Sequence, residues 1–237
     1  MSEVSRSGSV PRHSGTVRLV HWAVAVSGLA LLFSGMGQLP MFRRYNIVEL
    51  PGMGWSDNFE IHLVIHYIAA VVFGAAILFH LVYHFRRREF AALPRRGDGV
   101  ESWRIIVAMI RGRPEPPSGK FLAEQRLAYG VIGATSLVLI ATGLVKSFKN
   151  LGPIILDPWF LTWVTLIHTA AAMVFMGLVV AHLAAFLIRA NRPLLPSMFT
   201  GRVSRAYAEH RHPLWRWDGS GDEVRATDAE RAKQEAA

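Results

Sequence analysis

The chain has 237 residues, of which 51% are hydrophobic and 18% are charged, and its formal net charge at pH 7 is +9. This composition argues against two soluble domains and predicts one compact integral membrane bundle. The absence of cysteine excludes disulfides, thiolate-held iron–sulfur clusters and covalently attached haem. The basic residues gather at the ends of apolar segments, as in membrane proteins, so no nucleic-acid partner is expected.

The predicted elements follow the apolar segments in chain order. Residues 1–18 are polar and basic without the pattern of a removable signal peptide, and they predict a segment outside the membrane. Four segments are then long enough to cross a bilayer as helices, near residues 19–39, 61–85, 127–145 and 158–188. Residues 193–218 form a basic segment, and residues 219–237 predict a disordered tail.

The connectors set the expected orientation of the four helices. The stretch 86–126 is the most basic, with ten Lys or Arg against five acids, and its part 102–110 predicts a short amphipathic helix on the membrane surface. Since basic connectors stay in the cytoplasm, both termini and this stretch are expected there. The predicted fold class is all-α, an integral membrane four-helix bundle with cytoplasmic N and C termini.

Histidines inside the apolar segments predict metal centres. His168 and His182 are fourteen residues apart, so on a helix they point the same way about 21 Å apart along the axis. His66 and His80 repeat this spacing. A histidine within hydrocarbon is costly and is a functional-site hypothesis by default.

Two imidazoles from different helices at one depth can hold the iron of a haem b without covalent attachment. The predicted outer pair is His66 with His168, and the predicted inner pair is His182 with either His21 or His80. The bundle is therefore expected to bind two haems b. His80 is otherwise expected to contact a quinone or a propionate or to be structural. His62 and His84 are expected near the membrane interface, where they are solvated or bond a propionate. His13, His210 and His212 are expected on the surface.

Several short motifs resemble the cytochrome b556 (gamma) subunits of membrane-bound, quinone-linked formate dehydrogenases, within the wider group of four-helix di-haem cytochromes b. The resemblance covers roughly residues 15–218. The matching motifs are R-L-V-H-W at 18–22, S-G at 34–35, Q-R at 125–126, T-G at 142–143, L-I-H-T-A-A-A at 166–172, A-H-L at 181–183 and G-R-V-S-R-A-Y-A-E-H-R-H-P-L-W at 201–215.

The resemblance implies which histidines pair. An outer haem between helices 2 and 4 would be held by His66 and His168, and an inner haem between helices 1 and 4 by His21 and His182. The family's quinone site, beside the inner haem, maps onto residues 120–126, with Gln125, and onto the neighbourhood of His182. Three arginines at helix ends, Arg18, Arg126 and Arg189, are candidates to pair haem propionates, or else they only set the topology.

The resemblance also implies the function. The chain would be the quinone-reducing, electron-transfer subunit of an oxidoreductase complex in the bacterial inner membrane. Electrons would come from a periplasmic-side iron–sulfur subunit and reach menaquinone or ubiquinone, while a molybdenum or tungsten subunit oxidises formate. The alternatives are the cytochrome b of a nickel–iron hydrogenase or of another periplasmic oxidoreductase, a stand-alone quinol-oxidising cytochrome b, and a haem-free transporter.

Overall fold

The computed structural model describes residues 8–152 and 155–217. Residues 1–7 and the predicted tail 219–237 lie outside the described residues. The helices and strands in the described part are β1 (Ser9–Pro11), α1 (Gly15–Gly37), α2 (Met41–Arg44), α3 (Phe59–Arg87), α4 (Asp98–Ile110), α5 (Ala123–Leu151), α6 (Pro158–Ala184), α7 (Ser197–Thr200), β2 (Arg202–Ser204) and α8 (Arg205–Arg211). Short 3₁₀ turns lie at Ile47–Glu49, Gly54–Asp57, Ala185–Leu187 and Arg189–Leu194.

Four of these helices, α1, α3, α5 and α6, are long and apolar enough to cross a membrane. Helix α5 has 29 residues against the predicted 127–145. It begins earlier because Gln125 Oε1 accepts a hydrogen bond from the Leu122 backbone N–H (3.2 Å) and caps the first turn. Helix α4 begins at Asp98 rather than at residue 102, and the Asp98 carboxylate accepts from the backbone N–H of Arg95 (2.8 Å) in the turn before the helix.

The outer surfaces of the four helices are apolar. Val71 is 72% exposed, Leu78 63% and Leu183 60%, and side chains of this kind line the faces of α1, α3, α5 and α6. A helix satisfies its backbone hydrogen bonds internally, so such faces are compatible with hydrocarbon and not with water. The chain is a multi-pass membrane protein.

The four helices pack as two pairs, α1 with α3 and α5 with α6. Aromatic side chains join the pairs at mid-depth, where the rings of Phe73 and Phe175 are 5.9 Å apart and both are buried. A Cβ added at Gly28 on α1 would lie at van der Waals distance from both rings. Because side chains from both pairs meet here, the pairs form one bundle.

The basic end of the bundle is the end that carries Arg12, Arg18 and Lys120. Here β1 pairs antiparallel with β2, with Ser9 opposite Ser204. A small core covers the strand pair: Val10, Val203, Ala208 and Trp215. The predicted all-α fold therefore holds except for this two-stranded sheet. The sheet places the first and last described residues at the same end of the bundle.

Candidate metal centres

Two pairs of histidine rings face each other across the bundle. His66 on α3 and His168 on α6 have ring centroids 6.5 Å apart. His21 on α1 and His182 on α6 have ring centroids 6.3 Å apart. The first pair, which we call the outer pair, lies near the end of the bundle that carries the α1–α3 connector. We call that end the opposite end. The second pair, which we call the inner pair, lies near the basic end.

These separations suit one metal ion held between two rings. An imidazole nitrogen binds a transition metal at about 2.0–2.1 Å and the ring centre lies about 1.1 Å further, so opposed ligands have centroids about 6.3 Å apart. In residues 8–152 and 155–217, no three His, Cys, Asp or Glu side chains come together as a metal cluster. Two protein ligands per ion suit a haem, whose porphyrin supplies the other four.

Hydroxyl groups orient both rings of the outer pair. Ser34 Oγ donates its single proton to Ala30 O (2.7 Å), so towards His66 Nδ1 (3.0 Å) it can only accept. Thr142 Oγ1 does the same, donating to Val138 O (2.7 Å) and accepting from His168 Nδ1 (2.8 Å). Both imidazoles are thus protonated at Nδ1, which leaves Nε2 with a free lone pair for a metal.

The inner pair has a different environment. His182 is exposed and His21 is partly buried, and the ring of Phe186 lies 6.0 Å from that of His182. An exposed imidazole within a membrane-spanning helix needs a partner, because hydrocarbon offers it none. The structure places His21, not His80, opposite His182. His80 is instead bonded to Tyr129, with 2.8 Å between Nε2 and Oη.

Two histidines are buried although the sequence predicted one near the membrane interface and the other on the surface. His62 is fully buried, and its Nε2 bonds Ser56 O (2.8 Å) within a cage of aromatic rings. Its ring lies so close to Gly37 that no Cβ would fit there. His212 is also fully buried, and its Nδ1 bonds Gly119 O (2.7 Å). Both predictions were wrong, because the connector before α3 packs over His62 and the loop before α5 packs over His212.

The three arginines predicted to pair haem propionates lie in different surroundings, and Gln125 lies at the start of α5. Arg126 is paired with Asp98 (2.9 and 2.5 Å) and donates to Phe121 O (2.8 Å), so its guanidinium is occupied by α4 and the loop before α5. Arg18 donates to Phe199 O, and its Nε is buried without a partner among the described residues. Arg189 is exposed. Gln125 caps α5, as described above.

A buried cation at the basic end was missed by the sequence analysis. Arg12 is 4% exposed, stacks on Phe121 and Trp215, and donates from Nη2 to Lys120 O (2.7 Å). Its Nη1 is buried without a partner in the described part of the chain. Burial lowers the pKa of Arg12 to about 10. Burial, followed by the charges of Arg12 and Lys120, lowers the pKa of His13 to about 3.

These cations lie near the inner pair. Arg12 and His13 both donate their backbone N–H to Gly201 O (2.8 and 3.1 Å), and Arg18, which donates to Phe199 O, stands three residues before His21 on α1. One neighbourhood therefore holds Arg12, Arg18, Lys120 and an inner-pair ring. A buried positive charge without a carboxylate needs an anion. The carboxylates of a haem bound at the inner pair have the matching charge.

Known proteins are similar to this chain over most of its length. A model of the prokaryotic cytochrome b561 family matches residues 12–201. The chain is 25% identical over 223 residues to the cytochrome b556(Fdn) subunit of the nitrate-inducible formate dehydrogenase of Escherichia coli (strain K12), an alignment that covers 90% of this chain and 92% of the relative. The formate dehydrogenase cytochrome b556 subunit of Haemophilus influenzae is 21% identical over 221 residues, covering 90% and 84%.

The family match includes all four spanning helices and both histidine pairs. It confirms the resemblance to membrane cytochromes b that the sequence motifs indicated. The chain therefore belongs to the prokaryotic cytochrome b561 family, as a membrane-anchored cytochrome b of electron transfer.

Proposed function

We propose that the chain is the cytochrome b subunit of a respiratory formate dehydrogenase complex in the bacterial inner membrane. It takes electrons from an iron–sulfur subunit and delivers them through two haems b to menaquinone or ubiquinone. A separate molybdenum or tungsten subunit oxidises formate. The names of the curated relatives support this choice of complex.

The observation that carries the proposal is the pair of opposed imidazoles at each of two depths. His66 and His168 would hold the outer haem, and His21 and His182 would hold the inner haem. Each bound haem supplies a one-electron iron couple. Ser34 and Thr142 would keep Nε2 of each outer ring unprotonated and available to the metal, and Phe73 and Phe175 lie between the two pairs.

Arg12 and Arg18 are the proposed partners of the inner haem's propionates, with Lys120 adding positive charge. Each arginine has a buried N–H without a partner among the described residues, which a carboxylate would satisfy. Arg126 is the weaker candidate, because Asp98 already pairs with it.

The basic end is proposed to face the cytoplasm, since the most basic connectors stay on that side. The iron–sulfur subunit then docks at the opposite end, in the periplasm, beside the outer pair. The quinone binds near the basic end, around the loop 120–126 and Gln125. Quinone reduction would consume protons from the cytoplasm.

Haem content per chain tests this arrangement. The purified chain is expected to hold two haems b, and His66→Ala and His182→Ala are each expected to lose one haem and keep the other. His210→Ala is the matched control, because that histidine is exposed and lies outside the spanning helices. A chain without a haem spectrum contradicts the proposal, and so does formate oxidation by this chain alone. Copurification with hydrogenase subunits would change the assigned complex.

A further inference from the structure

The two helix pairs are related by an internal repeat. Ser34-Gly35 lies 13 residues after His21 on α1, and Thr142-Gly143 lies 13 residues after Tyr129 on α5. On the partner helices, His66 and His80 are 14 residues apart, as are His168 and His182. Phe73 and Phe175, which touch at mid-depth, each stand seven residues after the outer-pair histidine of their helix.

In this repeat, Tyr129 on α5 occupies the position equivalent to His21 on α1. His80 on α3 occupies the position equivalent to His182 on α6. The outer pair, His66 with His168, joins equivalent positions of the two halves. The inner pair, His21 with His182, has a counterpart on the other side of the bundle, formed by Tyr129 and His80. The counterpart joins α5 and α3 through a hydrogen bond of 2.8 Å. The inner pair thus consists of two imidazoles, and its counterpart consists of a phenol bonded to an imidazole.

A row of titratable groups leads from this phenol to the surface at the basic end. The rings of His80 and His84 are 4.4 Å apart. His84 Nδ1 is 3.4 Å from Glu89 Oε2, and the Glu89 side chain is 45% exposed. Arg87 pairs with Glu89 (2.9 Å), and Lys120, from the loop before α5, adds positive charge near His84. Each step in the row is short enough for a proton to pass directly or through one water molecule.

Tyr129 and His80 are both partly buried and lie within the apolar spans. A quinone has an apolar body and two carbonyl oxygens that accept hydrogen bonds, and a phenol bonded to an imidazole is a matching donor. Gln125 stands four residues before Tyr129 on α5, so the pair borders the proposed quinone loop.

We propose that Tyr129 and His80 donate the protons for quinone reduction and that His84 and Glu89 resupply them from the basic end. This inference rests on the proposed function, which supplies the two electrons. A quinone oxygen takes the proton of the Tyr129 O–H, and Tyr129 regains a proton from His80. His80 is reprotonated through His84 and Glu89. Two such transfers and two electrons convert one quinone to one quinol.

The reverse reaction offers a test on the full-length chain, purified with its haems. Decylubiquinol is mixed with the oxidised chain, and haem reduction is followed by stopped-flow spectroscopy. Tyr129→Phe and His80→Ala are each expected to slow this reduction about tenfold or more, as for the loss of a general acid or base. Imidazole in the buffer is expected to restore part of the rate in His80→Ala. Both variants are expected to keep two haems that dithionite reduces.

Tyr67→Phe is the matched control, since Tyr67 also joins α3 to α5, through Asn150 (3.0 Å), at the opposite end. It is expected to react at the wild-type rate. A wild-type chain that holds its haems but does not react with the quinol contradicts the proposed function itself. With wild-type reaction intact, variant rates within about twofold of wild type overturn this inference alone. Loss of a haem from His80→Ala also overturns it.

Discussion

At the residue scale, a single hydroxyl proton decides how each outer-pair ring can bind. Ser34 and Thr142 each donate that proton to the carbonyl four residues earlier in their own helix. The hydroxyl therefore only accepts from the neighbouring imidazole, and the ring presents an unprotonated Nε2. Residues in this supporting position commonly change metal affinity by about 10- to 100-fold.

Ser34→Ala and Thr142→Val are expected to weaken outer-haem binding by about 10- to 100-fold and to leave the inner haem in place. The reason is that each removes the acceptor that fixes the ring nitrogen and the ring orientation. Haem retention during dilution in detergent, followed optically, measures the effect.

Ser27→Ala is the control, because Ser27 makes the same bond to a helix carbonyl, Ala23 O (2.6 Å), without touching a histidine. Equal haem loss from the control and from Ser34→Ala would contradict the orienting role.

The sequence indicated His66, His168 and His182, because spacing along a helix is a local property. The sequence did not single out Arg12. It is one of many arginines near the ends of the spanning segments, and its burial depends on Trp215 and Lys120, more than 100 residues away in the chain. The open choice between His21 and His80 had the same origin, because helix spacing cannot say which helix lies opposite α6.

At the element scale, α4 is fixed to α5 by a buried ion pair. The side chain of Asp98 is 2% exposed and that of Arg126 is 10% exposed, and the two make a bidentate contact. The hydrogen bond from Arg126 holds the pKa of Asp98 below its usual value. The prediction of α4 from sequence began four residues late, because the turn 95–98 is held by Arg126, a partner 28 residues away in the chain.

Asp98→Asn is expected to lower the free energy of unfolding by about 3 kcal/mol, because it leaves Arg126 buried without its carboxylate. Hydrogen exchange of the backbone amides of residues 98–110 measures the local loss of stability. Glu101→Gln is the control. Its carboxylate is 3.4 Å from Arg126 and 39% exposed, so a change of at most about 1 kcal/mol is expected.

Lowering the pH is expected to destabilise α4, as Asp98→Asn does. A carboxylate whose pKa is lower in the folded state than in the unfolded state stabilises the fold at any pH above its unfolded pKa of about 3.9. This stabilisation is lost as the pH falls through the folded-state pKa. The protection factors of the α4 amides should therefore fall below about pH 4 in the wild type and change less in Asp98→Asn. An equal fall in both proteins would exclude Asp98 as the cause.

At the scale of the whole molecule, the four spans and their order followed from hydropathy, because each bilayer-length segment can be recognised by itself. The strand pair could not be predicted, since three-residue strands have too little alternation and their pairing joins residue 9 to residue 204. The pair places both ends of the described chain on one side, which fits an even number of crossings. It does not determine which side that is.

Cysteine labelling decides the side, and the natural chain has no cysteine to interfere. Arg96→Cys and Glu49→Cys place a thiol at exposed positions on the basic and opposite ends. In spheroplasts, a membrane-impermeant maleimide is expected to label Glu49→Cys and not Arg96→Cys, and in inverted vesicles the reverse. The opposite pattern would place the basic end in the periplasm.

The pairing of β1 with β2 also has a consequence for how the protein is made. The ribosome finishes β1 first, but its partner strand emerges only after all four spans have left the tunnel. Until then Val10 has no Val203 to pack against, and Arg12 lacks the indole ring of Trp215. Closure of this cap is thus a late event that reports complete insertion, and a chain truncated before residue 202 would leave its first segment uncovered for quality-control proteases.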